Sequence, residues 1–583
     1  MPKPDPAQQQ AIEVYEQLKK VRASKTLSLK PCPMLRSTIV GLDGAEQPMR
    51  LRYYQSQGIY HFLALKRLVL GDATGTGKTL IAIGALCYLW AKEVDNRVLI
   101  VCPKSAMRQW EGEFDKFTTG VKVFVVSGDI EQRTRIYEAW ARHPVDRGKP
   151  VLVINYALLI RDWGYGAQVI TPAKGKPVVL PGLLQRMLSE VTGLVTVFDE
   201  AQAFKNTATK TWQVCQYIAA KARRAYGLTA TLLKNNLMEG FAIYKVIAPW
   251  VFTTKTAFMN DYCVTRLQSV PGGRKVPLVV GYRNLKHFRE MIDPVYLGRL
   301  KHEISSELPQ IITKDIRCEL NPLEDAKYAE ALEGVLELGD GDVREYSEHV
   351  ALVALIYCQQ VADSLTLLRY HEGDEVPIGL DFEQPRKVEM GSKEQALVEL
   401  MTGELADTKT IIYTRFESLV KRLQELLDKE GIKSVRITGK ESDTVRRAAQ
   451  EAFQNLKSDV QVVIITDAGS EAINLQAASA LLFYDMPWSW GNYVQTLGRP
   501  VRIGSVHDHV LVYHLIAERP RDRKADRKTI DHHVLEMLRS KKRVIDAVLG
   551  EAAVGALEFD KGSSSAKDLL QRMRSKEHET PGG

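Results

Sequence analysis

Ten short apolar runs, five in each half of the chain, constrain the fold more than any other feature. In the first half they are Val98–Cys102, Val123–Ser127, Val151–Asn155, Val195–Asp199 and Ala225–Thr229. In the second they are Thr410–Thr414, Val435–Thr438, Val462–Thr466, Leu481–Asp485 and Val510–His514. Each is largely apolar and is separated from the next by a helical pattern. Such strands need cover on both faces, which parallel sheets obtain from their crossover helices. Two series therefore predict an α/β protein with two parallel-sheet lobes. A length of 583 residues agrees, being too great for a single core.

Between the lobes, over 235–385, the pattern turns mostly helical, as in Asp325–Glu337 and Glu348–Ala362. The expected organisation is an N-terminal arm (1–48), a first lobe (49–234), a helical insertion (235–385) and a second lobe (386–518). A basic connector with a brace helix (519–560) and a polar, disordered tail (561–583) follow. Trp163–Pro181 and Val270–Gly281 read as loop-like insertions, and Arg519–Lys528 as an exposed basic segment. No apolar run approaches the roughly 18 residues that span a bilayer. The opening MPKPDPAQQQ lacks the layout of a signal peptide, so a cytoplasmic protein is expected. Seven scattered cysteines without a C-x-x-C pair argue against zinc ribbons and disulfide frameworks. A net charge of +8 is compatible with a polyanionic partner and specifies none. His507 and His509 share a strand face, but no third ligand is near in sequence.

The chemistry concentrates in two stretches of the first lobe. Leu68–Leu80 reads LVLGDATGTGKTL, a strand, a glycine loop and the start of a helix. That order is the context a phosphate-binding loop requires, although Asp72 occupies the place of its first glycine. Backbone N–H groups over Gly75, Thr76, Gly77 and Lys78 would cradle phosphates at a helix N-terminus. Lys78 would reach the outer phosphate oxygens of ATP and Thr79 would hold Mg²⁺. The second stretch, GLVTVFDEAQ (Gly193–Gln202), is a buried strand ending in two acids. Asp199 is placed to hold Mg²⁺ and Glu200 to orient or deprotonate the attacking water.

Beyond this nucleotide core, the chain resembles the Swi2/Snf2 ATPases of helicase superfamily 2. LRYYQSQGIYHFL (Leu51–Leu63) is similar to that family's LRPYQxxG segment, whose glutamine, at Gln55, reads adenine. An aspartate commonly stands in the family at the place of Asp72, as in DEMGLGKT. LIVCPKSAMRQWEGEF (Leu99–Phe114), VINYALL (Val153–Leu159), DEAQ and GLTATLLKNNLMEGF (Gly227–Phe241) follow in family order. So do TIIYTRF (Thr410–Phe416), VRITGKESDTVRRAAQEAF (Val435–Phe453) and the run from Val463 to Ser505. Departures are Ala230 and Leu232 in the third motif, Ser470 and Ala472 for two glycines, and Ser505 for a glutamine. NLKHFREMIDPVYLGRLKHEISSELP (Asn284–Pro309) resembles the annealing-helicase, fork-remodelling branch, with Gly298 in a paired-arginine segment and Arg299 retained.

The resemblance implies two tandem RecA-like lobes with a helical insertion, and a DNA-dependent ATPase. The second lobe lacks a phosphate loop; Arg499 and Arg502 in QTLGRPVRIG would stabilise the transferred phosphoryl group, with Gln495 as a sensor and Gln202 at the nucleotide. A surface pairing of these arginines is the bland reading. Lys104, Ser105, Asn155, Tyr156, Thr229, Thr414, Arg415 and Thr466 would hold DNA phosphates without reading bases. The expected activity is translocation of a monomer along duplex or forked DNA, remodelling it or displacing bound protein. A bacterial or phage protein of replication, repair or transcription is the expected setting. Strand separation on DNA or RNA, and a nucleotide-switched clamp, are the alternatives.

Overall fold

The computed structural model describes residues 6–40, 46–92, 97–166, 168–170, 178–180, 182–230, 232–233, 236–269, 275–299, 303, 308–333, 348–368, 390–467, 473–502, 505, 507–521, 527–549, 556–558, 569–570 and 573. The chain divides into two compact units: Met1–Tyr262 with Asn284–Ser306, and Cys263–Arg283 with Glu307–Gly583.

The first unit is built on a parallel sheet. Its strands are β1 (Arg67–Leu70), β2 (Val98–Cys102), β3 (Val121–Val125), β4 (Lys149–Asn155), β5 (Val195–Asp199), β6 (Arg224–Leu228) and, arriving late in sequence, β9 (Tyr296–Leu297). Their spatial order is β9-β1-β6-β5-β2-β4-β3. The crossover helices are amphipathic for a simple reason of spacing. In Met107–Phe117, for example, Met107, Trp110, Phe114 and Phe117 recur every three or four residues and are all buried. Burial of each such side chain contributes roughly 1.5–3 kcal/mol.

The second unit repeats the architecture with β10 (Gln310–Glu319), β11 (Thr410–Tyr413), β12 (Ser434–Ile437), β13 (Val462–Ile465), β14 (Ala480–Phe483) and β15 (His509–Glu518), ordered β10-β15-β14-β11-β13-β12 and parallel throughout. Alternate residues serve two separate cores. Ile411, Tyr413, Val463 and Leu481 enter one, while Ile412, Val462, Ile464 and Leu482 enter the other. This double cover is why the strands read as unbroken apolar runs.

Several expectations change. The helical insertion is divided: residues 236–262 and 284–299 lie with the first unit, where they supply β9, and β10 joins the second unit's sheet. Of the supposed loop at Val270–Gly281, 275–281 are strand, since β7 (Cys263–Ser269) and β8 (Lys275–Arg283) form an antiparallel pair extended by β16 (Ala556–Glu558), and 270–274 lie outside the described residues. The basic connector is not uniformly exposed. Arg519 is buried and ion-paired to Asp325 at 2.5 Å, and Arg527 pairs with Glu518 at 3.0 Å. Of the tail expected to be disordered, Leu570 and Met573 are buried in the second unit's core; nearly all the rest lies outside the described residues. Within Trp163–Pro181, Gln168–Ile170 and Val178–Leu180 pair antiparallel, and 167, 171–177 and 181 lie outside the described residues. No helix among the described residues is long and apolar enough to cross a membrane.

A buried charge fastens the second unit. Lys393, fully inaccessible, holds Asp363 and Asp531 at 2.7 Å each and donates to the Tyr484 carbonyl at 3.1 Å. These acids end one helix (Glu348–Asp363) and begin another (Ile530–Leu549), so one ammonium joins three helices. Burial alone would lower the lysine's pKa, but the two carboxylates hold it above its ordinary value. Lys393→Met leaves both acids without a counter-charge and is expected to cost about 3–5 kcal/mol in denaturant unfolding.

Candidate nucleotide site and its neighbours

The site forms where β1 ends. Gly75 and Gly77 both adopt φ of 80°, a left-handed backbone that a side chain would strain, and the helix Lys78–Lys92 begins directly after. Thr76 is buried and donates to the Ala73 carbonyl at 2.9 Å, which closes the loop on itself. Lys78 Nζ donates to the carbonyls of Asp72 (2.8 Å) and Ala73 (3.1 Å). Thr79 stands half-buried in the helix's first turn. Gln55 comes from the helix Tyr53–Ala64; its amide nitrogen would lie 2.8 Å from a Cβ placed on Gly77. The glutamine that the sequence reading assigns to adenine thus lies against the loop assigned to phosphate. These residue types and this cradle fit a magnesium nucleotide: backbone donors and a lysine for phosphates, a hydroxyl and a carboxylate for the metal.

The acidic half sits at the end of β5, with β6 between it and β1. Trp110 Nε1–H donates to Asp199 Oδ2 at 2.8 Å and the Glu200 amide donates to Oδ1 at 3.0 Å. The Tyr156 hydroxyl donates to the Asp199 carbonyl at 2.7 Å. Burial, then the neighbouring Glu200, pushes the Asp199 carboxyl up to about 7. Glu200 itself has φ 50°, ψ 58°, a left-handed conformation that costs a non-glycine residue about 1–2 kcal/mol and is found at functional turns. Its carboxylate accepts from Gln202 Nε2 at 2.5 Å, and Gln202 Oε1 accepts from Thr229 Oγ1 at 2.8 Å. Glu200, Gln202 and Thr229 therefore form one relay from the end of β5 to the residue just after β6.

The residues expected to hold DNA separate into two sets. Lys104 is exposed, and the hydroxyls of Ser105 and Thr466 have no hydrogen-bond partner among the described residues. Arg415, half-buried, donates to Gln359 at 2.6 Å and lies over the Trp488 ring at 5.4 Å. The others are committed internally. Asn155 caps the helix Tyr156–Trp163 by accepting from Leu158 N, Tyr156 braces Asp199, Thr229 belongs to the relay, and Thr414 donates to Asp485 at 2.6 Å. Those four side chains shape the ends of strands rather than face outward.

In the second unit, Gln495 lies half-buried on the helix Trp490–Leu497. Arg499 is buried and donates to the Ile473 carbonyl at 3.2 Å; Arg502 donates to the Gly498 carbonyl at 3.2 Å. Ser470 and Ala472 lie outside the described residues. Sequence reasoning assigned no role to Trp110, although its QW signal was visible, and none to the partner of Asp72. That partner is Arg299, which forms a buried bidentate ion pair with it.

Comparison with known proteins agrees with this geometry. Residues 54–367 match the SNF2-related domain, more than half of the chain. The chain belongs to the SNF2-related family. Residues 392–504 match the helicase conserved C-terminal domain, so this SNF2-related chain carries both halves of an ATPase of the helicase type. It is similar to an ATP-dependent helicase of Mycoplasma pneumoniae, 23% identical over 86% of this chain and 42% of the relative. It is also similar to the ISWI chromatin-remodeling complex ATPase ISW2 of Saccharomyces cerevisiae, 24% identical over 90% and 44%. The SNF2-related chain thus spans less than half the length of these curated relatives. Among solved structures, the Sulfolobus solfataricus SWI2/SNF2 ATPase core in complex with dsDNA matches 94% of this chain and 99% of its own, at 21% identity and a TM-score of 0.36.

Several expectations follow for this SNF2-related site. A carboxyl at about 7 ligates metal only when ionised, so magnesium-dependent nucleotide binding is expected to weaken about tenfold per pH unit below 7. Glu200→Gln removes one of the two raising causes and shifts that midpoint downward, which nucleotide titrations from pH 5.5 to 8.5 read out. Conversely, because the native carboxyl has the higher pKa, its ionisation costs stability between the ordinary carboxylate range and pH 7, and that cost is complete above 7. Trp110→Phe deletes the indole donor that orients Asp199 and is expected to lower turnover about 10–100-fold in steady-state ATPase assays.

Proposed function

We propose that the chain is an ATP-driven motor that moves along duplex or branched DNA through phosphate contacts, remodelling DNA structure or displacing bound protein. The observation that carries this reading is the arrangement at the strand ends of the first unit. A phosphate loop, a half-buried Asp199 and a strained Glu200 lie on β1 and β5, and a relay reaches from Glu200 to Thr229 beside them. Thr79 and Asp199 are the groups we assign to Mg²⁺, and Lys78 to the phosphates. Glu200 takes the proton of the attacking water, and Gln202 fixes its carboxylate. Arg499 and Arg502 are assigned to charge that develops on the departing phosphate, with Gln495 near them in sequence.

Lys104, Ser105, Arg415 and Thr466 are the side chains we assign to DNA phosphates. A cation and a stacked guanidinium grip a backbone and read no base, and Ser105 and Thr466 each bring a buried hydroxyl without a described partner to a point just beyond a strand end. The likeness to a chromatin-remodeling complex ATPase and to a chromodomain-helicase-DNA-binding protein supports the choice of polymer.

ATP turnover measured against duplex, single-stranded and forked DNA and RNA, across a salt series, tests the reading. Duplex or forked DNA is expected to stimulate most, with affinity falling steeply as salt rises. Lys78→Ala and Glu200→Gln are expected to abolish stimulated turnover. Stimulation by RNA or single strands alone, or turnover indifferent to DNA, would sink the duplex-motor assignment.

A further inference from the structure

Asp72 is fully buried at the position where a strict phosphate loop carries glycine, and a buried carboxylate requires a partner. Arg299 supplies it from a segment more than two hundred residues downstream. Its Nε donates to Asp72 Oδ1 at 2.9 Å and Nη2 to Oδ2, a two-pronged pair. The third arm, Nη1, donates to the Tyr54 carbonyl and to Gln57 Oε1, both at 2.7 Å, and the guanidinium lies over the Tyr54 ring at 5.5 Å. Tyr54 and Gln57 flank Gln55 on one helix. One side chain therefore connects the helix bearing the adenine-side glutamine to the first residue of the phosphate loop.

The backbone reinforces this connection. The Gly71 amide donates to the Leu297 carbonyl at 2.7 Å and the Ala73 amide to the Arg299 carbonyl at 3.2 Å. Gly298 fits the same purpose: a Cβ there would lie 2.1 Å from the Tyr296 hydroxyl, so an arginine at 298 would displace the tyrosine that packs against Gly71. Lys78 rests on the Asp72 carbonyl, so whatever moves Asp72 moves the carbonyl that lysine touches.

We infer that Arg299 is a positioning residue for nucleotide binding. It fixes the phosphate loop and the Gln55 helix at one mutual distance, so that adenine and phosphates are met together. The role rests on the ATPase reading above and deepens it. Nothing in it requires Arg299 to touch the nucleotide; it acts through Asp72 and the Tyr53–Ala64 helix. A small misplacement of such groups is amplified, since an error of about 1 Å can cost on the order of a hundredfold.

Equilibrium binding of a fluorescent N-methylanthraniloyl ATP with Mg²⁺ to the full chain tests this directly, alongside KM and kcat for ATP. Arg299→Gln is expected to weaken binding at least tenfold and to raise KM more than it lowers kcat, with duplex DNA affinity within twofold of the parent. Arg299→Lys, which keeps the charge but not the fork, is expected to restore part of the loss. Asp72→Asn, close in shape and therefore the better-tolerated change, is expected to reproduce the defect. Asp72→Asn with Arg299→Gln is expected to be no worse than Arg299→Gln alone, within twofold. Parent-like nucleotide affinity in Arg299→Gln, or in Asp72→Asn should the former not fold, would overturn the inference even if the melting temperature fell. A parent chain that binds no nucleotide would instead remove the ATPase reading and this inference with it.

Discussion

A parallel sheet buried on both faces leaves chemistry only one place to go, the ends of its strands. In the first unit the loop after β1, the acids ending β5 and the hydroxyl after β6 all sit at or just beyond a strand's carboxyl end, while Gln55 comes from the helix that precedes β1. The order β1-β6-β5 leaves exactly one strand between phosphate loop and acids, and that strand carries the residue that completes the relay. Function therefore follows from topology before any single side chain is considered. The side chains then decide which ends are reactive and which are merely capped, as Asn155 caps its own helix.

Both units place charge where water cannot reach it, and in each the charge is satisfied by more than one partner. Arg299 meets a carboxylate, a carbonyl and an amide oxygen; Lys393 meets two carboxylates and a carbonyl. Buried pairs of this kind contribute little net stability over apolar packing, but losing one partner is severe. Their effect is geometric. A guanidinium with three directed arms or an ammonium between three helices permits one arrangement of its neighbours and penalises the rest. Asp199 is the opposite case, a half-buried acid whose ionised form is favoured only by an indole, one amide and the charge of Lys78, so its carboxyl lies well above the ordinary carboxylate range.

Much of the fold was legible because continuous apolar runs have few alternatives. The ten sequence-predicted strands match observed strands to within a few residues, as at Val195–Asp199 and Val462–Ile465. What escaped was whatever lacked that signature. β9 is two residues long and carries no periodicity; β10 is a mostly exposed edge strand whose polar residues read as loop or helix. The glycine turn after β1 and the two acids at the end of β5 were legible as local patterns, since consecutive residues form them. Arg299 was not, because its partner lies across 227 positions and nothing in either segment names the other. The hydroxyls of Thr229 and Tyr156, expected at DNA phosphates, donate to Gln202 and to the Asp199 carbonyl, and sequence spacing does not reveal which way such a hydroxyl points.

The smallest strand has a consequence for solubility. Without β9, the phosphate-loop strand would be the sheet's outermost member, presenting unpaired amides to any other chain. Tyr296 and Leu297 cover that edge in parallel register with Val69 and Leu70. At two residues, the cover is itself too short to template a further strand. The second unit guards its longer edge differently, with Lys314, Asp315 and Arg317 along β10. A short cover on one sheet and a charged border on the other are two established ways to keep parallel sheets from recruiting copies of themselves.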